Sequence, residues 1–343
     1  MDTELTRLIQ DMPKGENHVH LEGSISPELL LSLGEKNGVT LPFDSEEGAN
    51  RYIRENTRSL DTFINVFNVV NSVMCGQEDF HQLVVDFARE GARENIVYRE
   101  AIINFAVHEH RGIDPRQIVR GLASGRQEAL EKYGVDLCFI GELDRSVDRY
   151  WAEDFVRRMD QYRKEIPLVA IGWALGLKGK EEDNFRAPEH REAFRLAGEL
   201  GFYRTAHCGE VQGPESVWEV LENLEPDRID HGVRGSEDPA LVAELARRGT
   251  LLAVCPSTNV LIGLYPDFAS HPVKYLMDQG VRVSVSTDDP AYILTGLSHE
   301  LTQVALAHDL SREEVIELVR NSFRYSFAGK HHQEKLEHWL KQN

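Results

Sequence analysis

The chain has few cysteines and no long apolar run. Its four cysteines among 343 residues stand far apart and form no Cys-x-x-Cys pair, so neither a disulfide framework nor a thiolate zinc site is indicated. No stretch approaches the roughly 18 consecutive apolar residues of a membrane span, and the amino-terminal segment lacks the apolar core of a signal peptide. We therefore expect a soluble, cytoplasmic protein.

Positive charge is also scarce. The sequence has 38 Lys and Arg against 57 Asp and Glu, which gives a formal net charge of −19 at pH 7. A protein with this excess of negative charge is repelled by nucleic-acid backbones and by anionic membranes. We therefore expect no nucleic-acid partner and no membrane partner, and we favour a small neutral or cationic molecule as the ligand. The oligomeric state does not follow from the sequence.

The sequence does contain a regular alternation of short apolar runs and amphipathic segments. The runs predict eight strands, at residues 17–21, 96–107, 135–140, 168–175, 203–207, 228–231, 250–255 and 281–287. The segments between them repeat apolar residues every three or four positions, as helices do. Eight strands alternating with helices predict an α/β fold, a (β/α)8 TIM barrel, and no linker or internal repeat divides residues 1–343 into two domains.

A helical insertion is predicted after the first strand, at about residues 43–80. Within it, Leu60, Phe63, Ile64 and Phe67 have the spacing of one apolar helical face. Such a face most often packs against a protein core. In an enzyme barrel it can also form a lid over the active site. Both interpretations stay open at this point.

Histidines and acidic residues stand at the carboxyl ends of the first, fifth, sixth and eighth predicted strands. They are His18, His20, His207, Glu210, His231, Asp288 and Asp289. Side chains two apart on a strand point the same way, so His18 and His20 can face one lumen. In a barrel the carboxyl ends of all strands meet at one face, where active sites lie. Several imidazoles and a carboxylate suit zinc with one position left for water, which predicts a hydrolytic metalloenzyme.

Each of these residues also has an ordinary structural explanation. A lone histidine at a strand end is usually a structural or surface residue, and Asp288-Asp289-Pro290 has the composition of a simple turn. It is the combination at four strand ends that favours a site. Two other histidine pairs are not expected to bind metal. His108-Glu109-His110 is predicted to be an exposed loop, and His331-His332 is predicted to lie in a solvated helix.

Several linked motifs resemble those of the adenosine deaminase family of the amidohydrolase superfamily, in order and in separation. The motifs are NHVHLEGSI, TAHCGEV, RIDHGV, VCPSTN and STDDP, and the resemblance covers about residues 14–300. It implies zinc-dependent hydrolytic deamination of a 6-aminopurine. Zinc suits this reaction because it lowers the pKa of its water from about 15.7 to about 7, which provides a nucleophile at neutral pH.

The resemblance also implies a role for each site residue. His18, His20, His207 and Asp288 would bind one zinc ion per chain. Glu210 would donate a proton to the purine, and His231 would orient the attacking water and stabilise the oxyanion. His20, Glu22, Gly176 and Asp289 would lie against the substrate, with Asp289 at the N7 edge and Gly176 at the N3 edge of the ring.

Glu22 bears on the identity of the substrate. Adenosine deaminases commonly carry Asp at this position, where it meets the ribose. We expect adenosine as the substrate, converted to inosine and ammonia, because the Glu22 carboxylate can accept a hydrogen bond from a ribose hydroxyl. The alternative is adenine or another modified 6-aminopurine, with the longer side chain filling the space of the sugar.

Two remoter alternatives concern the class of protein. One is a binuclear amidohydrolase in which Lys178 or Lys180 bridges two metal ions. The other is a non-catalytic binding protein on a barrel scaffold, because a fold does not fix a function.

Overall fold

A barrel of eight parallel strands organises the molecule. The computed structural model describes residues 3–57, 60–174 and 186–343. The strands are β1 Lys14–His20, β2 Ile96–Ile103, β3 Asp136–Asp144, β4 Leu168–Ala174, β5 Tyr203–Cys208, β6 Arg228–His231, β7 Leu251–Val254 and β8 Arg282–Val285. Each strand pairs in parallel with the next one along the chain. The predicted (β/α)8 barrel is confirmed.

The two ends of the sheet meet just beyond the last strand. Val19 of β1 forms a parallel bridge with Asp288. The amide of His20 donates to the carbonyl of Asp288 at 2.7 Å, and the amide of Asp288 donates to the carbonyl of His18 at 3.2 Å. We call this contact the seam. It nearly closes the barrel and brings the first and last chemical motifs of the sequence side by side.

Helices connect and cover the strands. They are α1 Thr3–Asp11, α2 Pro27–Asn37, α3 Glu46–Asn56, α4 Leu60–Ser72, α5 Gln77–Arg93, α6 Phe105–His110, α7 Pro115–Tyr133, α8 Arg149–Tyr162, α9 Ala187–Glu199, α10 Pro214–Asn223, α11 Pro239–Arg248, α12 Pro256–Leu261, α13 Val273–Asp278, α14 Pro290–Ile293, α15 Leu297–Ala307, α16 Arg312–Arg324 and α17 Gln333–Leu340. Short 3-10 turns lie at Glu22–Ser24, Val233–Glu237, Phe268–Ser270 and Lys330–His332. Of the helices described, none combines the length and apolar character that a membrane crossing requires.

Two helices, α3 and α4, fall within the segment predicted to be an insertion. Val66 and Val70 of α4 are buried, and Phe67 packs half-buried against the core. This favours the packing interpretation for that part of the helix. The side chains of Leu60, Phe63 and Ile64 lie outside the described residues. An insertion that acts as a lid therefore stays a prediction.

The interior of the barrel contains a buried ionic cluster toward the amino ends of the strands. Arg228 is fully buried and pairs with Glu100 and, at 3.1 Å, with Asp230. Tyr98 donates to Glu100 at 2.7 Å, and Thr205 donates to Asp230 at 2.6 Å. We call these five residues the lower network. In this network both carboxylates face a guanidinium, as a buried charge requires.

The second strand is shorter than predicted. The apolar run continues to Val107, but β2 ends at Ile103. Asn104 ends it because its side chain accepts a hydrogen bond from the amide of Val107 at 3.2 Å and caps helix α6. The run of apolar residues therefore crosses a boundary between strand and helix that periodicity does not reveal.

Both of the histidine pairs that were not expected to bind metal differ from their predicted environments. His108 lies on α6 and is fully buried, so the exposed loop was wrong for this residue. His331 is exposed as predicted, whereas His332 is 6% exposed in the 3-10 turn Lys330–His332 and pairs with Asp136 at 3.1 Å. In each pair the buried histidine has a carboxylate partner, which a sequence pattern alone does not indicate.

Candidate active site

Four of the predicted site residues converge at the carboxyl ends of the strands. His207 Nε2 lies 3.1 Å from His18 Nε2 and 3.2 Å from His20 Nε2. Asp288 Oδ1 lies 3.3 Å from His18 Nε2 and 3.4 Å from His20 Nε2. Four protein ligands placed about 2.0 Å from a zinc ion that also has a fifth position for water stand roughly 2.8 to 3.5 Å apart. The spacing of His18, His20, His207 and Asp288 therefore fits a single ion of that size.

The hydrogen bonding of the imidazoles also fits a cation. His18 Nδ1 lies 3.2 Å from the carbonyl of Ala253, and only a protonated Nδ1 can bond there, which leaves Nε2 as a lone pair. His207 Nε2 faces two other ring nitrogens, and a single proton can bridge only one of these contacts. Burial, and then the charges of the neighbouring histidines, hold the pKa of His207 well below its usual value. Nearby carboxylates outweigh burial and raise the pKa of His18 and of His20, so these two imidazoles would lose a proton when a cation binds, while His207 already offers a lone pair.

Two site residues have strained backbones. Asp288 has φ +62° and His231 has φ +65°, both in the left-handed region that residues other than glycine seldom adopt. At Asp288 the conformation is held by the seam, whose two hydrogen bonds fix the backbone on either side. Such strain persists where the surrounding structure enforces it, and it concentrates at functional sites.

Glu210 and His231 lie next to each other beside this centre. Glu210 Oε1 is 3.6 Å from His231 Nδ1. Burial, reinforced by the negative charge of Asp288, raises the pKa of Glu210 to about 8, while burial lowers the pKa of His231 to about 3. These shifts favour a protonated carboxyl group at Glu210 and a neutral imidazole at His231. Two neighbouring groups with separated pKa values can act as acid and base.

Glu22 and Asp289 form the wall next to the seam. A side chain at Gly23 would place its Cβ 1.8 Å from Asp289 Oδ1, so only glycine fits between them. Glu22 is 2% exposed, and its Oε1 accepts hydrogen bonds from the amide of Asn104 and from His108 Nε2, both at 3.1 Å. Gly176, predicted to contact the substrate, lies outside the described residues, as do Lys178 and Lys180.

Glu142, which no sequence motif singles out, faces the same centre. It lies on β3, is 4% exposed, and stands 3.9 Å from His20 Nδ1 and 3.9 Å from His207 Nδ1. Burial raises its pKa to about 7. Glu142 follows the inward-facing Ile140 by two positions, so an acidic residue at a lumen-facing strand end was the signal that could have found it.

The fold and the site together define a barrel hydrolase with a candidate metal centre at the carboxyl ends of its strands. A family model described as adenosine deaminase matches residues 13–342, and the chain belongs to that family. The predicted resemblance is confirmed. Membership makes the chain a hydrolytic purine deaminase, which removes the alternative of a non-catalytic binding protein.

Relatives of this chain cover nearly its full length. An adenine deaminase from Acinetobacter baylyi is 31% identical over 341 residues, 98% of each chain. An adenine deaminase from Agrobacterium fabrum is 34% identical over 325 residues, 94% of this chain and 96% of the relative. The crystal structure of an adenine deaminase from Arthrobacter aurescens superposes with a TM-score of 0.87 at 27% identity, covering 96% of this chain and 99% of that one. All three are named for adenine rather than for adenosine.

Proposed function

We propose that this chain, as a single catalytic domain over residues 1–343, deaminates adenine to hypoxanthine and ammonia with one zinc ion per chain. The ion would be held by His18, His20, His207 and Asp288. The naming of the relatives supports adenine over the adenosine that the sequence analysis favours. The observation that carries the choice is the fixed position of Glu22.

The hydrogen bonding of Glu22 argues against a ribose subsite. The expectation of adenosine required the Glu22 carboxylate to turn toward a sugar hydroxyl. Oε1 is instead engaged by the amide of Asn104 and by His108, both within the protein. These bonds leave only Oε2 for a sugar hydroxyl, and moving the carboxylate toward a sugar would break two buried hydrogen bonds, each of which contributes about 1 kcal/mol or more. Glutamate is also one methylene longer than the aspartate that commonly meets the ribose, so the side chain takes volume from the sugar.

The charge of the site favours a neutral substrate. Glu22, Glu142, Asp288 and Asp289 lie in or next to the site, in addition to the proton donor Glu210. A nucleotide would bring phosphate charges toward this group of carboxyls, which is unfavourable in a partly desolvated site. A free base carries no such charge. This supports adenine over a phosphorylated purine as the substrate.

The residues of the chain divide the chemistry between them. Zinc, when bound, would supply a water whose pKa is lowered to about 7. Glu210 would donate its proton to N1 of the purine, which makes C6 a better electrophile. His231, neutral at this pH, would accept a hydrogen bond from the attacking water and orient it toward C6. Asp289 would hydrogen-bond N7 and hold the ring. The oxygen of the attacking water would bond to C6, one of its protons would replace the proton that Glu210 gave to N1, and the other would pass to the amino nitrogen. The bond between C6 and that nitrogen then breaks, which releases ammonia and leaves a 6-oxopurine.

The test is a panel of purines assayed for ammonia release. Adenine, adenosine, 2′-deoxyadenosine and AMP are compared by kcat/KM at one pH and one zinc concentration. We expect adenine to exceed adenosine by about 10², the upper range for discrimination by shape in a close-fitting pocket. AMP should be the poorest. Adenosine equal to or better than adenine would overturn the proposed substrate and leave the deaminase assignment in place.

A further inference from the structure

A line of hydrogen bonds through two buried side chains leads to the partly exposed carboxyl group of Glu210. The amide of Val273 donates to His271 Nδ1 at 3.3 Å. His271 Nε2 lies 3.1 Å from Asn259 Oδ1, and Asn259 Nδ2 donates to Glu210 Oε1 at 3.5 Å. His271 is 2% exposed and Asn259 is fully buried. We call His271 and Asn259 the relay.

The protons in the relay can be assigned from the amide at its far end. A backbone amide always donates, so His271 Nδ1 is an acceptor and carries no proton. Burial lowers the pKa of His271 to about 3, so the ring is neutral and its single proton is on Nε2. That proton is donated to Asn259 Oδ1. The asparagine amide therefore has one orientation, with its carbonyl toward His271 and its NH2 group toward Glu210.

The backbone around the relay is fixed. The backbone amide of Asn259 donates to the backbone carbonyl of Cys255 at 3.1 Å. The backbone carbonyl of Asn259 accepts from the backbone amide of Leu264 at 2.9 Å. The ring of Tyr265 packs edge-on against His271, with ring centroids 5.1 Å apart. The start of α12 is tied down by Glu300, which accepts from the amide of Ser257 at 3.0 Å. The side-chain amide can therefore change its direction only by rotating in place.

We propose that the relay selects which oxygen of Glu210 carries the proton. The NH2 group of Asn259 requires an acceptor, so Oε1 stays unprotonated and the proton is kept on Oε2. From Oε2 it is transferred to N1 of the purine, and the carboxylate that remains is stabilised by the same NH2 donor. His231 Nδ1, 3.6 Å from Oε1, approaches the same unprotonated oxygen. Asn259 and His271 are positioning residues, and the inference rests on the proposed proton transfer from Glu210.

The sharpest test is a matched pair of substitutions at His271. Gln at this position retains an N–H donor for Asn259 and an acceptor for the amide of Val273, whereas Leu has neither. In His271→Leu the Asn259 amide is free to turn its carbonyl toward Glu210, where it would accept the proton meant for the purine. We expect kcat to fall at least tenfold in His271→Leu, and His271→Gln to stay within about threefold of wild type.

A third variant tests the relay at the next residue. Asn259→Asp presents an acceptor to Glu210 in either orientation and should lower kcat at least as much as His271→Leu. For all three variants the zinc content, the melting temperature and the dissociation constant of hypoxanthine are measured alongside kcat and KM. A role in positioning the proton lowers kcat while KM, zinc content and hypoxanthine binding stay near their wild-type values.

The outcomes separate the relay from the proposed function. The purine that wild type deaminates fastest is used throughout, so the identity of the substrate does not affect the result. A wild type that deaminates no 6-aminopurine would contradict the proposed function and the relay together. An active wild type with His271→Leu and His271→Gln equally active, or equally impaired, would overturn the relay alone. So would a loss of zinc or of hypoxanthine binding in His271→Leu that accounts for its loss of kcat.

Discussion

The barrel contains buried charged groups at two levels, and the two levels differ in how these groups are paired. In the lower network Arg228 lies between Glu100 and Asp230, so each carboxylate faces an opposite charge. At the carboxyl ends of the strands the carboxyls face imidazoles and one another. Among the described residues there, His207 Nδ1 and Glu142 Oε1 are buried without a hydrogen-bond partner. Arg228 Nη2 of the lower network also lacks a hydrogen-bond partner, so the two levels differ in charge pairing rather than in complete hydrogen bonding. Opposite charges neutralise the buried carboxylates of the lower network, whereas the upper groups keep lone pairs and protons available for binding and reaction.

Asp230 connects the two levels. Its Oδ1 pairs with Arg228 at 3.1 Å and lies 4.0 Å from His18 Nδ1, while its Oδ2 lies 3.9 Å from His207 Nδ1. Burial opposes ionisation of Asp230, but the charges of Arg228 and His18 and the hydrogen bond from Thr205 together outweigh it and lower the pKa below its usual value. A permanent negative charge therefore stands beneath two of the candidate zinc ligands, where it would favour a cation.

The largest effect is expected from removing a candidate zinc ligand at the carboxyl ends of the strands, the upper level of buried charge. His207→Ala removes the imidazole that faces both His18 and His20, so elemental analysis should find zinc reduced from about one per chain to a small fraction. Deaminase activity should fall by more than about 10⁴-fold. This loss exceeds the most that removal of a single proton donor causes, because the metal is lost together with its ligand. His338→Ala, on the exposed surface of α17, is the control and should keep its zinc. Unchanged zinc in His207→Ala would contradict the ligand set.

The next effect separates binding from chemistry within the upper level. Glu210→Gln retains the shape of the side chain but cannot deliver a proton. We expect kcat to fall by about 10² to 10⁴, with zinc content and hypoxanthine binding unchanged. Steady-state kinetics and elemental analysis on the same preparation test this, with the exposed Glu222→Gln of α10 as the control. A Glu210→Gln enzyme within tenfold of the wild-type kcat would exclude Glu210 as the proton donor.

The third effect belongs to the lower level and should appear as lost stability. Arg228→Met leaves Glu100 and Asp230 buried without their cation, which should reduce the free energy of unfolding by about 3–5 kcal/mol. The double variant Arg228→Met with Glu100→Gln should be less affected, because one uncompensated charge is removed. Chemical denaturation measures both. If the free energy of unfolding falls by less than about 1 kcal/mol in Arg228→Met, the charge pairing of the lower network contributes little stability, and the contrast with the upper level is wrong.

The smallest effect concerns selectivity. Glu22→Asp shortens the side chain that His108 and Asn104 hold, which should open space for a sugar and lower the ratio of kcat/KM for adenine to that for adenosine by about tenfold. His108→Leu should act in the same direction because it frees one of the two bonds to Glu22 Oε1. The ratio is measured for both variants under one set of conditions. An unchanged ratio in both would remove Glu22 from the account of specificity.

Much of the fold and part of the site could be predicted from the sequence. Eight apolar runs gave eight strands because a parallel strand buried on both faces is continuously apolar. The convergence of His18, His20, His207 and Asp288 followed from the rule that strand carboxyl ends share one face of a barrel. These predictions need only local patterns and the topology. They do not require knowledge of how particular side chains pack.

The remaining features depend on side-chain contacts between distant residues. His108 was assigned to an exposed loop because nothing in the sequence near it indicates its bond to Glu22, 86 positions away. Asn259 ends the VCPSTN motif and His271 lies outside the quoted motifs, and neither motif nor spacing indicates their link to Glu210, which exists only once the chain is folded. The proposed preference for adenine over adenosine also depends on such contacts, since it rests on the partners of Glu22.

The seam has a consequence for the order in which the barrel forms. It joins residues from opposite ends of the chain, so its closure carries a high entropic cost and is expected late in folding. His18 and His20 lie on one side of it and Asp288 on the other. An ion bound by all three would clamp the two sides together. Metal binding would then slow hydrogen exchange at the amide of His20, and a chelator would release the barrel first at this point.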